Sequence, residues 1–372
     1  MTEMTAPAAL AGIRVLDLSR VLAGPWSTQI LADLGADVVK IEPVGGDKTR
    51  KLRGSGAGYF VTYNRNKRSL ACDISTPEGQ ALIKRLVAKC HVFVENFKVG
   101  DMARYGLDYD QLRAINPALI YCSITGFGQT GPYRDRAGYD YAVQGMGGLM
   151  SVTGERDDLG GGPQKVGVAV ADLFTGMYAT VAILAALRHA ERTGEGQHID
   201  MALLDVATSI MANQALNYLT TGTPPGMMGN AHPNLAPYAV FDCADGWIIL
   251  ATGNDAQYRR LCTLLGLPDM AEAPEFATNA QRIANRVEMT RRLTQATRRF
   301  AKLALLAACE AEGVPAGPIN DLKAVFDDPQ VIARGLQIAP NGIPGVRSPM
   351  SFSDADLSIG RTAPRLGQDD AS

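Results

Sequence analysis

A chain of 372 residues, 46% hydrophobic and 20% charged, has the balance of a globular protein too long for one simple core, so two domains are expected. Its formal net charge of −2 supplies no global field to recruit nucleic acid or an acidic membrane, so any anion binding has to be local. The six cysteines are scattered without a CxxC pair, which reads as reduced thiols of a cytoplasmic protein and excludes a disulfide frame or zinc site. The opening MTEMTAPAALAG has neither a basic segment nor an apolar core, so no targeting peptide is expected. No run approaches the roughly 18 apolar residues of a membrane span.

In chain order, IRVLDL (13–18) reads as a buried strand, SRVLAGPWSTQILADLG as loop then helix, and ADVVKIE (36–42) as a second strand. This is a βαβ unit with parallel strands. Glu42 falls where a dinucleotide fold keeps its ribose-binding acid. The turn, however, holds Gly24 alone instead of GxGxxG, and Pro25 and Trp26 occupy the space a pyrophosphate needs. Dinucleotide binding is rejected. A glycine-rich basic loop, Gly45 to Phe60, precedes Arg65, Lys67 and Arg68 and a short strand. Those cations form either a solvated surface or, beside the strand ends of an α/β sheet, the charges that phosphates demand. Thr76 caps a helix opened by Pro77. HVFVENF (91–97) is a strand, a short turn carries Arg104, a helix spans Asp108 to Ile115, and LIYCSITGF is another strand.

Gly126 to Met150 reads as a glycine-dense loop entering a helix, and GERDDLGGGPQKVG as a further loop. Val166 to Ala171 then deliver the chain to Asp172. Leu173, Met177, Val181, Leu184 and Leu187 recur at helical spacing until Gly194 and Gly196. Asp172 is placed at the helix N-terminus, where unpaired N–H groups and the macrodipole favour negative charge. It reads either as an N-cap or as an ionised carboxylate presented as a nucleophile. A second helix runs from Asp200 to Thr221, and Pro and Gly then concentrate in TGTPPGMMGNAHPNLAPYA, a hinge. YAVFDCADGWIILAT reads as a hairpin around Asp245–Gly246. Helices follow in AQYRRLCTLLG and VEMTRRLTQATRRFAKLALLAACEAEG, then a turn-rich loop, VPAGPINDLKAVFDDPQ. The expected division is a large α/β domain over 1–224, a small α+β domain over 225–320, and a segment 321–372 returning to the first.

His91, His189, His198 and His232 show no paired spacing, so no metal site is expected, and a GxSxG elbow is absent. Asp172 remains. A carboxylate nucleophile suits an activated acyl group, since attack gives an anhydride that another nucleophile can open.

Several segments in order, among them RVLAGPWSTQILADLGADVVKIEP, NRNKRSLACDI, VENFKVGDMARYGLDY, LIYCSITGFGQTGPY, GYDYAVQGMGGLM, VADLFTG, GNAHPNLAPY and VPAGPIN, are similar to the class III CoA-transferase family, the CaiB/BaiF type that includes formyl-CoA transferase. The resemblance implies a large Rossmann-like α/β domain plus a small α+β domain, and two chains forming an interlocked homodimer. It also implies Asp172 as nucleophile, passing through an aspartyl anhydride and an aspartyl-CoA thioester. Coenzyme A enters as a thioester substrate, with no permanently bound cofactor. On the same basis Tyr59 contacts the acyl group, while Asn96, Phe97 and Arg104 match a CoA-binding segment. Cys72 falls on a CoA-contacting position where relatives often carry leucine, and Lys67 and Arg68 are motif residues. Gly229 and Asn230 match the loop that covers the family's active site and excludes water.

Departures narrow the expectation. Leu22 stands where the oxalate branch keeps a glutamine, and the covering loop is GNAHP instead of a glycine run; both count against oxalate. The related α-methylacyl-CoA racemases pair an aspartate with a histidine, but Tyr139 holds that position and no histidine occurs between His91 and His189. A non-catalytic CoA-binding paralogue is the other alternative, and Asp172 counts against it. The expected substrates are succinyl-CoA and a small dicarboxylic acid, with Arg50, Arg53 and His232 as candidates for the second carboxylate.

Overall fold

The computed structural model describes residues 7–52 and 58–370. The chain forms two compact units. One comprises Met1–Met150, Lys165–Pro224 and Pro329–Ser372, the other Ser151–Gln164 and Pro225–Asp328. The segment 151–164, sequence-distant from the rest of its unit, therefore belongs with 225–328.

The first unit is built on six strands: β1 (Arg14–Asp17), β2 (Asp37–Glu42), β3 (Arg68–Ala71), β4 (Val92–Glu95), β5 (Ile120–Thr125) and β6 (His198–Ala202). All pair in parallel, in the order β3-β2-β1-β4-β5-β6. Every residue of β4 is buried, as a central parallel strand covered on both faces requires. The strand order reverses between β1 and β4, and ligands of open α/β sheets bind at the carboxyl ends of such strands.

Helices α1 (Ala23–Asp33), α2 (Tyr59–Tyr63), α3 (Pro77–Val87), α4 (Asp101–Arg104), α5 (Tyr109–Arg113), α6 (Asp140–Met146), α7 (Leu149–Val152) and α8 (Val170–Thr193) follow in order. Local chemistry sets their starts. Thr76 accepts the Gly79 N–H ahead of Pro77, and Asp108 and Gln111 form a capping box on α5. Helix α8 is long and apolar enough to cross a membrane by length and composition, which corrects the reading that no such run exists. Here it packs along α1 and the sheet, burying Ala171, Ala179, Ile183 and Ala186 in the core with Leu31 and Val94. Gly194, at φ 77°, ends it. The helix expected from Asp200 is preceded by β6 and is broken into α9 (Leu203–Ser209) and α10 (Ala212–Thr221).

In the second unit β7 (Tyr238–Cys243) and β8 (Gly246–Ala251) form the expected hairpin, and β9 (Ala316–Pro318), expected as loop, adds a third antiparallel strand. The core lies between this sheet and helices including α11 (Asp255–Leu264), α12 (Pro268–Glu272), α13 (Asn279–Ala284), α14 (Arg286–Thr297) and α15 (Lys302–Ala311). The single long helix expected over 287–313 is two, because the hairpin turn takes its backbone groups: Ala244 N–H donates to the Phe300 carbonyl at 2.9 Å and Lys302 N–H to Asp245 Oδ1 at 2.6 Å.

Candidate active site

Asp172 is in the first turn of α8, but it is not the cap. The N-cap is Ala169, which offers no side-chain bond. The cap comes from α6: Asp140 Oδ1 accepts the N–H groups of Ala171 at 2.8 Å and Asp172 at 3.2 Å. Gln144 donates to the other Asp140 oxygen at 2.7 Å and accepts the Val166 N–H at 3.0 Å, fixing the approach to α8. The helix-end N–H groups that were expected to hold Asp172 ionised are thus partly engaged by a second carboxylate. Burial, and then the Asp140 charge, push the Asp172 carboxyl up to about 7. At neutral pH it is a basic carboxylate, about half ionised.

Asp172 lines a cleft of about 420 Å³ at the β1–β4 switch point. Asn96 ties the two loops there, accepting the Arg20 N–H at 2.8 Å and donating to the Arg20 carbonyl at 2.7 Å. The Arg20 guanidinium lies 4.0 Å from the centroid of Phe97, a cation–π contact that leaves its charge at the cleft wall. Lys48, Lys98, Arg134 and Arg136 also line it, giving five cations for two acids, Asp47 and Asp172. Arg20, Lys98, Arg134 and Arg136 were missed by sequence reasoning. Arg20 and Lys98 lie inside matched motifs and Arg134 and Arg136 between two of them, but nothing in a one-dimensional pattern separates a cleft cation from a solvated one.

The cations that sequence reasoning weighed are used elsewhere. Lys67 is buried and donates to Asp17 at 2.9 Å, to the Pro25 carbonyl and to Asn64, so it is not available to CoA. Arg65 is paired with Asp33 and Arg68 with Asp37. Arg50 binds Glu42 through two nitrogens, at 2.6 and 2.7 Å, and covers Phe60; a second substrate carboxylate would have to displace Glu42. Arg53 lies outside the described residues. Gly24, the lone glycine of the first turn, is explained by packing: a Cβ there would meet Ser19 Cβ at 2.2 Å.

Of the sequence-predicted residues, the structure brings Asn96 and Phe97 into the Asp172 cleft. Tyr59, on α2, feels the Asp172 charge; burial first, then Tyr63, Asp172 and Asp140, raise its phenol to about 12, so it stays protonated. Cys72 lines a second, smaller cleft of about 160 Å³ that shares Arg20 and Phe97 with the first. Arg104 is 71% exposed and paired with Asp101 at 3.0 Å; it lines neither cleft, although its neighbour Tyr105 lines the second. Gly229, Asn230 and His232 are in the second unit. There the Gly229 N–H donates to the Gly154 carbonyl at 3.0 Å, and the His232 ring accepts the Asn234 N–H at 3.1 Å and tilts against Tyr238. Among the described residues no group of three or more His, Cys, Asp or Glu is placed to hold a metal ion.

A Rossmann-type sheet presenting a basic carboxylate and a row of cations at its switch point is the equipment of an enzyme that handles an anionic acyl carrier. The family model for CoA-transferase family III matches residues 10–370, and the chain belongs to that family. It is a CoA-transferase, and the racemase and non-catalytic readings fall away. It is similar to the succinate–glutarate CoA-transferase of Agrobacterium fabrum, 55% identical over 97% of this chain and 94% of that protein. The human succinyl-CoA:glutarate CoA-transferase is 40% identical over 96% and 84%. A crystal structure of a CaiB/BaiF family protein from Brucella suis, 52% identical, superposes with a TM-score of 0.89, covering 98% of each chain.

Proposed function

We propose that the protein transfers CoA between succinyl-CoA and a small dicarboxylic acid of the glutarate kind, with Asp172 as the covalent carrier. The observation that carries this reading is Asp172 itself, a carboxylate at a helix start in a cation-lined cleft, with no ion-pair partner among the described residues. The names of the relatives support the substrate class. Ionised Asp172 attacks the thioester carbonyl, the C–S bond breaks, and an aspartyl mixed anhydride and CoA thiolate result. The thiolate then attacks the aspartyl carbonyl, releasing the donor acid and leaving an aspartyl-CoA thioester. The acceptor carboxylate opens that thioester to a new anhydride, and the freed thiolate attacks the acceptor's acyl carbon, regenerating Asp172. A carboxylate of raised basicity is the better nucleophile for these steps once ionised. The cleft cations take the CoA phosphates, and the chemistry calls for no metal or resident cofactor.

The same reading has the chain acting as a homodimer in the cytoplasm. All six cysteines are free and buried, which suits a reducing compartment. Helices α8 and α10 leave Val181 64% and Leu219 76% exposed, apolar surface that a partner chain would cover. Incubation with acyl-CoA alone should leave an adduct on the peptide containing Asp172, and Asp172→Ala should abolish transfer while CoA binding persists. Near wild-type turnover in Asp172→Ala would overturn the mechanism. Oxalate or a monocarboxylate preferred over every small dicarboxylate would overturn the substrate class.

A further inference from the structure

Trp26 and Tyr63 have no role in the account above, yet both are stationed beside Asp172. Trp26, on α1, rests against α8 where Gly176 leaves room: a Cβ on Gly176 would lie 2.9 Å from Trp26 Cδ1 and 2.6 Å from the Ala23 carbonyl oxygen. Gly176 follows Asp172 by four residues and shares its helix face, which sets Trp26 against the turn of α8 that follows the nucleophile. Tyr63, the last residue of α2, meets the Trp26 ring edge-on with centroids 6.0 Å apart, and Tyr59 meets Tyr63 at 5.1 Å. The three rings form a continuous wall, and Asp172 acts electrostatically on both phenols.

The donors of this wall are unused. Trp26 Nε1 is buried without a hydrogen-bond partner, and the Tyr63 hydroxyl makes no hydrogen bond among the described residues. A buried N–H without an acceptor is unfavourable, so a ligand carboxylate that reached it would gain a hydrogen bond the protein does not supply. The donors are also neutral. A cation in their place would pair with Asp172 and quench it, whereas indole and phenol groups hold an anion without competing for the nucleophile.

We infer that Trp26 and Tyr63 seat the carboxylate of the diacid that is not being activated, while Asp172 works on the other; the inference rests on the dicarboxylate reading above. Tyr63→Phe removes an oxygen that has no hydrogen-bond partner among the described residues, so little folding energy is at stake, and Trp26→Phe is the second variant. In a double-displacement cycle kcat/KM for each acceptor reports its own half-reaction. With succinyl-CoA as donor, Tyr63→Phe should lower kcat/KM for glutarate by about tenfold or more and leave butyrate within about twofold. A readout without turnover uses Trp247→Phe, which leaves Trp26 as the only tryptophan: glutarate should shift its emission and butyrate should not. Equal losses for both acceptors, no loss for either, or an unmoved emission overturns the seat. Wild type preferring butyrate overturns the dicarboxylate reading itself, before any variant is made.

Discussion

Burial first, and then the Asp140 charge, set how Asp172 titrates. Asp140 performs two tasks with one carboxylate, closing the start of α8 and raising the basicity of its neighbour. Because the nucleophile must be ionised, kcat/KM for acyl-CoA should fall as pH drops through about 7. Asp140→Asn keeps an oxygen that can accept the Ala171 N–H but removes the negative charge, and removing a nearby negative charge lowers a carboxyl pKa. The acid limb of the profile should therefore move to lower pH. A pH series of kcat/KM on both proteins measures it, and an unmoved limb would mean that the Asp140 charge does not reach Asp172.

At the scale of elements, β1, β2 and the chain entering β3 are tied together by buried charge. Asp17, on β1, meets Lys67 at 2.9 Å and Lys40, on β2, at 3.9 Å, with Ser19 and Thr28 hydroxyls completing its hydrogen bonds. Burial alone would push the Asp17 carboxyl up, but the two lysines outweigh it and hold it well below the usual range. Burial pulls Lys67 down to about 8 against the attraction of Asp17. The cluster sets the loop that carries Arg20, since Lys40 donates to the Ser19 carbonyl at 2.6 Å. Lys67→Ala strands one buried charge and should cost about 3–5 kcal/mol, toward the lower end because Lys40 remains. Urea unfolding reads that loss. A raised KM for acyl-CoA with unchanged stability would return Lys67 to the ligand.

For the whole molecule, the exposed apolar side chains of α8 and α10 call for a cover. Phe174, Met177, Tyr178 and Val181 on one helix and Leu216, Tyr218 and Leu219 on the other are exposed in the single chain. A folded chain rarely leaves so many large apolar side chains in water without a partner to cover them. Sedimentation should give twice the chain mass, and Val181→Asp with Leu219→Asp should yield a monomer or insoluble protein. A wild-type monomer with full transferase activity would refute the assembly.

How much of this was legible follows from the range of each interaction. Local patterns carry local structure: the βαβ opening, the Thr76–Pro77 start, the run of α8 with its Gly194 stop and the hairpin at Asp245 are all readable, because caps, turns and apolar periodicity act within a few residues. Motif order carried the family, and with it Asp172. Pairing across the sequence was invisible. Whether Lys67 meets a phosphate or Asp17 depends on a residue fifty positions away brought to it across the parallel sheet, and whether Arg50 meets a substrate or Glu42 depends on how the turn after β2 folds back on that strand. The break between α14 and α15 came from a hairpin more than fifty residues upstream, which no helical propensity records. The sequence determined which chemistry is present; tertiary structure alone decided which charges are already spent and which still face the cleft.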